Sequence, residues 1–137
     1  LETNLFGPYA LSRAFAPVLA GNGGGAIVNV LSVLSWINLT GAGTYSVSKA
    51  AAWSLTNGLR HELRAQGTLV TAVHVAFMDT DMARHVPGQK TAPADVVRQT
   101  LEALAAGREE VLADAVTRQV KSGLGAQPGV YLSDPSK

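Results

Sequence analysis

The hydrophobic period of this chain switches back and forth, and that limits its fold more than any other feature. Ala26-Ile27-Val28-Asn29-Val30-Leu31 and Leu69–Val75 are short, β-branched and largely apolar. Runs of this kind predict strands buried on both faces. Around them the period is helical. Leu5, Phe6, Tyr9, Phe15 and Val18–Leu19 lie near helical spacing across 3–20, and Val47, Ala51, Leu55, Leu59 and Leu63 recur every four residues across 45–66. Asn22-Gly-Gly-Gly25 breaks the first helix, and Gly67 stops the second. Residues 33–44 read as a loop and 77–92 as a loop or short helix. Pro93 opens a third helix, with Asp95 in its first turn and Gly107 past its end. Val111–Ala113 reads as a short third strand, 114–124 as a helix, and the tail is rich in Gly, Pro and Ser. This alternation predicts an α/β fold: a parallel sheet with right-handed crossovers and flanking helices.

Three strands are few for such a sheet. The 137 residues allow one domain. The chain opens Leu-Glu-Thr-Asn, without Met and already in helical pattern. We therefore expect 1–137 to be a single, partial domain.

Composition narrows the function. Apolar residues make up 47% and charged residues 15%, which suits a packed core and not a disordered chain. Eleven basic and ten acidic residues leave a net charge of +1, which gives no case for nucleic acid or an anionic membrane. No apolar run approaches the ~18 residues of a membrane span. The chain has no cysteine, which removes disulfides, thiolate metal sites and cysteine nucleophiles. His61, His74 and His85 lack metal-ligand spacing, so no metal is expected. Without cysteine or a leader at residue 1, the expected compartment is the cytoplasm.

Tyr45 and Lys49 stand four apart, on one helix face. A phenol ordinarily titrates near 10. An ammonium held close favours the phenolate and brings the tyrosine nearer to acid/base work at neutral pH. The plainer alternative is a solvated lysine beside a half-buried tyrosine. Ser32 lies just past the carboxyl end of the first strand, thirteen residues before Tyr45. Open parallel sheets bind ligands outside the carboxyl ends of their strands. A hydroxyl there can hydrogen-bond a carbonyl or alcohol oxygen, and Tyr45 can pass a proton to the same oxygen. Ser32 can also be a serine that merely starts a loop. Trp36, Ile37 and Leu39 follow Ser32, and Met82 and Val86 lie in the later loop. Together they form either an apolar wall for a substrate or ordinary packing. Arg60, Glu62 and Arg64 read as a solvated helix face.

Gly25-Ala-Ile-Val-Asn-Val-Leu-Ser32 followed by Tyr45-Ser-Val-Ser-Lys49-Ala-Ala resembles the catalytic core of the short-chain dehydrogenase/reductase family. Asn4-Leu-Phe-Gly7 is similar to the family's Asn-x-x-Gly helix motif, and Asp79-Thr-Asp-Met82 to the segment after its sixth strand. The resemblance implies a doubly wound, Rossmann-like parallel sheet, here partial. It implies interconversion of an alcohol and a carbonyl by hydride transfer with NAD or NADP. Tyr45 is then the general acid/base, Lys49 lowers its pKa and binds the nicotinamide ribose, and Ser32 orients the substrate oxygen. Asn4 holds a water in the proton relay. Thr80 contacts the nicotinamide carboxamide, and Ala76 and Met78 belong to the same cofactor-binding segment. Trp36 and Met82 join Ser32 on the substrate side. Asn29 has a mainly structural role. The implied partners are a small-molecule alcohol or carbonyl and further copies of the chain, as a dimer or tetramer, because the two long helices resemble those that pair subunits in the family.

Pro8 adds a physical argument about Asn4. In a regular helix the N–H of residue 8 would bond the Asn4 carbonyl, but proline has no N–H and crowds that oxygen. The helix should distort there and leave the carbonyl for a water beside Lys49. Alternatively, Pro8 sits in a frayed first turn, where it is tolerated.

The chain also departs from the family pattern. Val75-Ala76 stands where the family places Pro-Gly, so a backbone donor returns and a methyl is added where backbone nears a cofactor. Leu31 stands where a second serine often precedes the catalytic one. No Gly-rich turn that would seat a dinucleotide pyrophosphate follows a strand. Gly21–Gly25 precedes one, and Gly41-Ala-Gly43 lies in the substrate loop. Two readings follow. One is an NAD(P)-dependent oxidoreductase. The other is an inactive fragment or oligomerising module that lacks the cofactor-binding half and has an open edge on its first strand.

Overall fold

The computed structural model describes residues 1–76 and 90–137. In chain order they form α1 (Gly7–Gly21), β1 (Gly25–Ser32), α2 (Gly43–Leu63), β2 (Thr68–Val75), α3 (Pro93–Ala105), β3 (Glu110–Leu112) and α4 (Ala115–Gly123). The strands make one parallel sheet in the order β1-β2-β3. Helices cover both faces, so the fold is the expected partial, doubly wound, Rossmann-like α/β sheet.

Register decides what each face buries. Ile27, Asn29 and Leu31 lie opposite Val70, Ala72 and His74. This face takes α2 through Ala52, Leu59 and Leu63, and α1 through Ala16. The alternate residues Val28, Val73 and Val75 pack with Val111 against Val96 and Ala103 of α3. β1 to β2 and β2 to β3 step the same way across the sheet, yet α2 and α3 lie on opposite faces. The two crossovers therefore have opposite hands, and the expectation that both are right-handed does not hold. Burial of Val96 and Ala103 on the second face overrides that preference.

Sequence punctuation accounts for the ends of these elements. After α2 a short 3-10 turn, Arg64–Gln66, closes on Gly67 in the left-handed conformation, φ 75°. Gly24, at φ 113°, approaches this turn so closely that a Cβ would stand 2.6 Å from the Gly67 carbonyl oxygen. The two turns at the amino ends of β1 and β2 therefore touch only because residue 24 has no side chain. At the start of the chain, Glu2–Phe6 wind as a π turn, in which Phe6 N–H reaches Leu1 O at 3.0 Å and Gly7 N–H reaches Glu2 O. The widening falls where Pro8 has no N–H to offer Asn4 O, so the single helix expected over 3–20 is divided.

Polar groups also fix the layers. Asn29 Nδ2 donates to Thr56 Oγ1 at 3.0 Å, and Thr56 Oγ1 donates to Ala52 O at 2.7 Å, inside the β1–α2 interface. Thr56→Val should leave the Asn29 amide without that acceptor and cost about 1–3 kcal/mol, read as a lower urea midpoint. Arg60 corrects an expectation. Its side chain is only 14% exposed and donates to Val70 O, Asn57 Oδ1 and Glu109 O, tying α2 to the residue before β3. Glu62 and Arg64 stay exposed as expected.

Among the described residues β1 pairs only with β2, so its other edge is open. Val30 is 50% exposed there, and Phe6, Leu11, Phe15 and Val18 of the neighbouring helical segment are at least as exposed. A groove of about 450 Å³ runs between α1 and this edge. No helix among the described residues is long and apolar enough to cross a membrane.

Candidate active site

β1 delivers Ser32 at its carboxyl end in an extended conformation, and Val33–Ser35 then turn as a 3-10 helix. Ser32 Oγ accepts from Leu34 N–H at 3.0 Å, and Ser35 Oγ accepts from Ser32 N–H at 3.4 Å. This reciprocal cap uses one lone pair of Ser32 Oγ and leaves its O–H proton able to donate outward. The loop expected over 33–44 thus holds a 3-10 turn, and α2 begins at Gly43, two residues before the expected start.

α2 carries Tyr45 and Lys49 on one face, with Lys49 Nζ 5.7 Å from the Tyr45 ring centroid. Burial pushes the Tyr45 phenol above its ordinary value, and the Ser32 hydroxyl opposes the rise. Burial also pushes the Lys49 ammonium down. The expected lowering of Tyr45 by Lys49 does not hold: desolvation raises the phenol, and what opposes the rise is the Ser32 hydroxyl and not the ammonium. The ammonium is turned to a different acceptor. Lys49 Nζ donates to Val30 O at 3.1 Å, on the strand that forms the open edge.

Asn4 reaches the same helix. Its Nδ2 donates to Ser48 Oγ at 3.1 Å, and Ser48 Oγ donates to Tyr45 O at 2.7 Å. Ser48 is thus a linking residue that the motif reading passed over, although its spacing from Tyr45 is visible in the sequence. A cavity of about 80 Å³ separates Asn4 from Lys49, with Asn29 and Leu31 in its wall. That is room enough for a water between polar partners.

Two more residues lie behind the turn. His74 is fully buried on β2, stacked on Trp36 with ring centroids 4.0 Å apart, and its Nδ1 lies 3.5 Å from Ser32 O. Burial lowers its pKa to about 4, so it is neutral at physiological pH. Trp36 also meets Trp53 edge to face, at 6.1 Å. Its indole is therefore turned inward, with Ile37 and Leu39, onto Val33, Leu34 and Val120. Ala76 follows β2, and its N–H donates to Asp114 Oδ2 at 2.8 Å. Met78, Thr80 and Met82, with the Asp79-Thr-Asp-Met82 motif, His85 and Val86, lie outside the described residues.

The tail holds the loop before α2. Thr40 N–H and Oγ1 both donate to Asp134 Oδ2. Ser136 and Thr40 together hold the Asp134 carboxyl down at about 2. Its carboxyl carbon should titrate near pH 2 by NMR. The contact is at full strength above the ordinary carboxylate range and is lost as pH falls through about 2. A midpoint near 4 would show that Asp134 is solvated and does not hold the loop.

A Rossmann-like sheet with a serine ending one strand, and a tyrosine and lysine four apart on the next helix, defines a class of dinucleotide-linked folds. The family profile described as short chain dehydrogenase matches residues 1–91. The chain belongs to the short-chain dehydrogenase/reductase family. A short chain dehydrogenase from Burkholderia cenocepacia J2315, solved in complex with NADP, is 41% identical, with a TM-score of 0.87 over 93% of this chain and 53% of that one. A short-chain dehydrogenase from Sphingobium yanoikuyae, in complex with NADPH, is 26% identical with a TM-score of 0.74, over 88% of this chain and 50% of that one. The uncharacterized oxidoreductase YgfF of Escherichia coli K12 is 36% identical over 85% of this chain and 48% of its own length. The chain spans about half the length, or less, of the curated relatives it matches.

Proposed function

We propose that this chain is the acid/base half of an NAD(P)-dependent oxidoreductase that interconverts an alcohol and a carbonyl. One observation carries the reading: beside the carboxyl half of β1, Lys49 is held on Val30 O, Asn4 reaches the Tyr45 backbone through Ser48 and shares a small cavity with Lys49, and the Ser32 hydroxyl acts on the Tyr45 phenol. In reduction, Ser32 donates a hydrogen bond to the substrate carbonyl oxygen and Tyr45 passes its proton to the same oxygen. The Asn4 carbonyl and the Lys49 ammonium, on either side of the small cavity, hold a water that resupplies the proton. Trp36, half-buried and stacked on His74, stands on the substrate side with Ser32.

The donor set suits one half of a nicotinamide dinucleotide. An ammonium and a phenol can bind a ribose, and the backbone at Ala76 can lie along the nicotinamide, with Met78 and Thr80 next in sequence. Nothing in this chain resembles a turn for the pyrophosphate. The NADP and NADPH held by the Burkholderia and Sphingobium proteins support the same cofactor class here. When bound, the dinucleotide supplies or takes the hydride. We read 1–137 as a single partial domain, its exposed α1 and Val30 as surface covered by further chain or a second subunit, and the cytoplasm as its compartment.

A second reading rests on Lys49. Its ammonium is engaged by a carbonyl on the open strand, so the 137 residues alone form an inactive module until another segment pairs with β1. Titration of the 137-residue chain with NADPH, followed by fluorescence, separates the two. Saturable binding at micromolar concentration supports an autonomous site. Absence of binding, with binding by a longer protein carrying these residues, supports the module. Absence from both would remove the cofactor reading.

A further inference from the structure

We propose that Asp114 is a positioning residue whose carboxylate fixes the backbone leaving β2 at Ala76, and with it the cofactor side of the site. The second half of this statement rests on the proposed function, but the clasp itself does not.

Asp114 stands between β3 and α4. Its Oδ1 accepts from Thr117 N–H at 2.8 Å, which caps α4. Its Oδ2 accepts from Ala76 N–H at 2.8 Å and, more loosely, from Thr91 Oγ1 at 3.4 Å. One oxygen thus touches both ends of the connection between β2 and α3. Capping alone would be served by Ser, Thr or Asn as well as by Asp. Two backbone N–H groups on two different oxygens require two acceptors and no donor. Only a carboxylate provides that, since asparagine has one acceptor and would turn an NH₂ toward the other N–H. α4 also reaches the catalytic turn, because Val120 packs with Val33, Leu34 and Ala76. The same helix therefore braces the turn behind Ser32 and the backbone at Ala76.

The test reads the Ala76 and Thr117 amides by NMR hydrogen exchange, beside NADPH affinity. Asp114→Ser keeps a cap for α4 but is too short to span to Ala76. It should leave Thr117 protected, speed Ala76 exchange roughly tenfold, as the loss of one charge-assisted hydrogen bond implies, and weaken NADPH binding by a similar factor. Thr91→Val should change either by less than about threefold, because its contact is long. An Ala76 rate unchanged in Asp114→Ser overturns the clasp. Faster exchange with unaltered NADPH affinity overturns its positioning role. Should Asp114→Ser fail to fold, the unaltered protein decides: deuteration of the Ala76 amide should shift the Asp114 carboxyl carbon signal, and no shift overturns the clasp. If neither this chain nor a longer protein carrying these residues binds NADPH, the proposed function fails while the exchange result still judges the clasp.

Discussion

Replacing Tyr45 by phenylalanine should lower carbonyl reduction by about 10²–10⁴-fold, the usual contribution of a positioned general acid. NADPH affinity should change little, because the ring stays and only the hydroxyl goes. Tyr45 has the properties of a proton donor. Burial holds its phenol above the ordinary value, so it is protonated through the neutral range. Ser32, whose oxygen is already bonded to Leu34 N–H, lies close enough to affect that titration. A phenol held above its ordinary value keeps its proton and favours reduction at neutral pH, whereas the phenolate that serves oxidation forms only at higher pH. A pH series in both directions checks the sign: reduction should fall as pH climbs past the phenol's pKa, and oxidation should rise. Turnover retained in Tyr45→Phe would assign the proton to another group. Turnover lost together with NADPH binding would make Tyr45 a binding residue.

The second large effect concerns stability. His74 titrates at about 4 in the fold, against 6.5 for an ordinary imidazole. Its neutral form is the one that packs on Trp36 and faces Ser32 O. Since the folded pKa is lowered, the unfolded chain takes up the proton first. Stability is therefore complete above about pH 6.5, falls as pH drops toward 4, and gains no further dependence from His74 below that. The full change is about 3 kcal/mol, a large share of the ~5–15 kcal/mol that holds a domain together. Urea midpoints taken between pH 7.5 and 4.5 should fall steeply in the unaltered protein and much less in His74→Asn. Equal slopes in the two would show that other groups carry the effect.

The elements were legible because their signals are local. The four-residue repeat from Val47 to Leu63 and the β-branched runs at 26–31 and 69–75 each state their own period. The site motif was legible for the same reason: Tyr45 and Lys49 share a helix face, and Ser32 ends a strand. Long-range partners were not legible. The face taken by α3 depends on how Val96 and Ala103 meet Val73 and Val111, far apart in sequence. His74 meets Ser32 only because Leu31 pairs with it across the sheet. Arg60 reads as a surface charge until the start of β3 arrives beside it. The direction of the Tyr45 shift was missed because desolvation is set by packing, whereas the motif displays only the neighbouring charge.

The central claim is that these residues protonate an oxygen whose carbon receives a hydride from a nicotinamide. Incubating the protein with NADPH deuterated at C4 and a panel of aldehydes and ketones tests it directly, with mass and NMR analysis of the alcohols. The account predicts one deuterium at the carbinol carbon when the labelled face is used, with the hydroxyl proton drawn from solvent and the reaction lost in Tyr45→Phe. Alcohol carrying no deuterium at carbon from either labelled face, or the same deuterated alcohol formed at full rate by Tyr45→Phe, would contradict it.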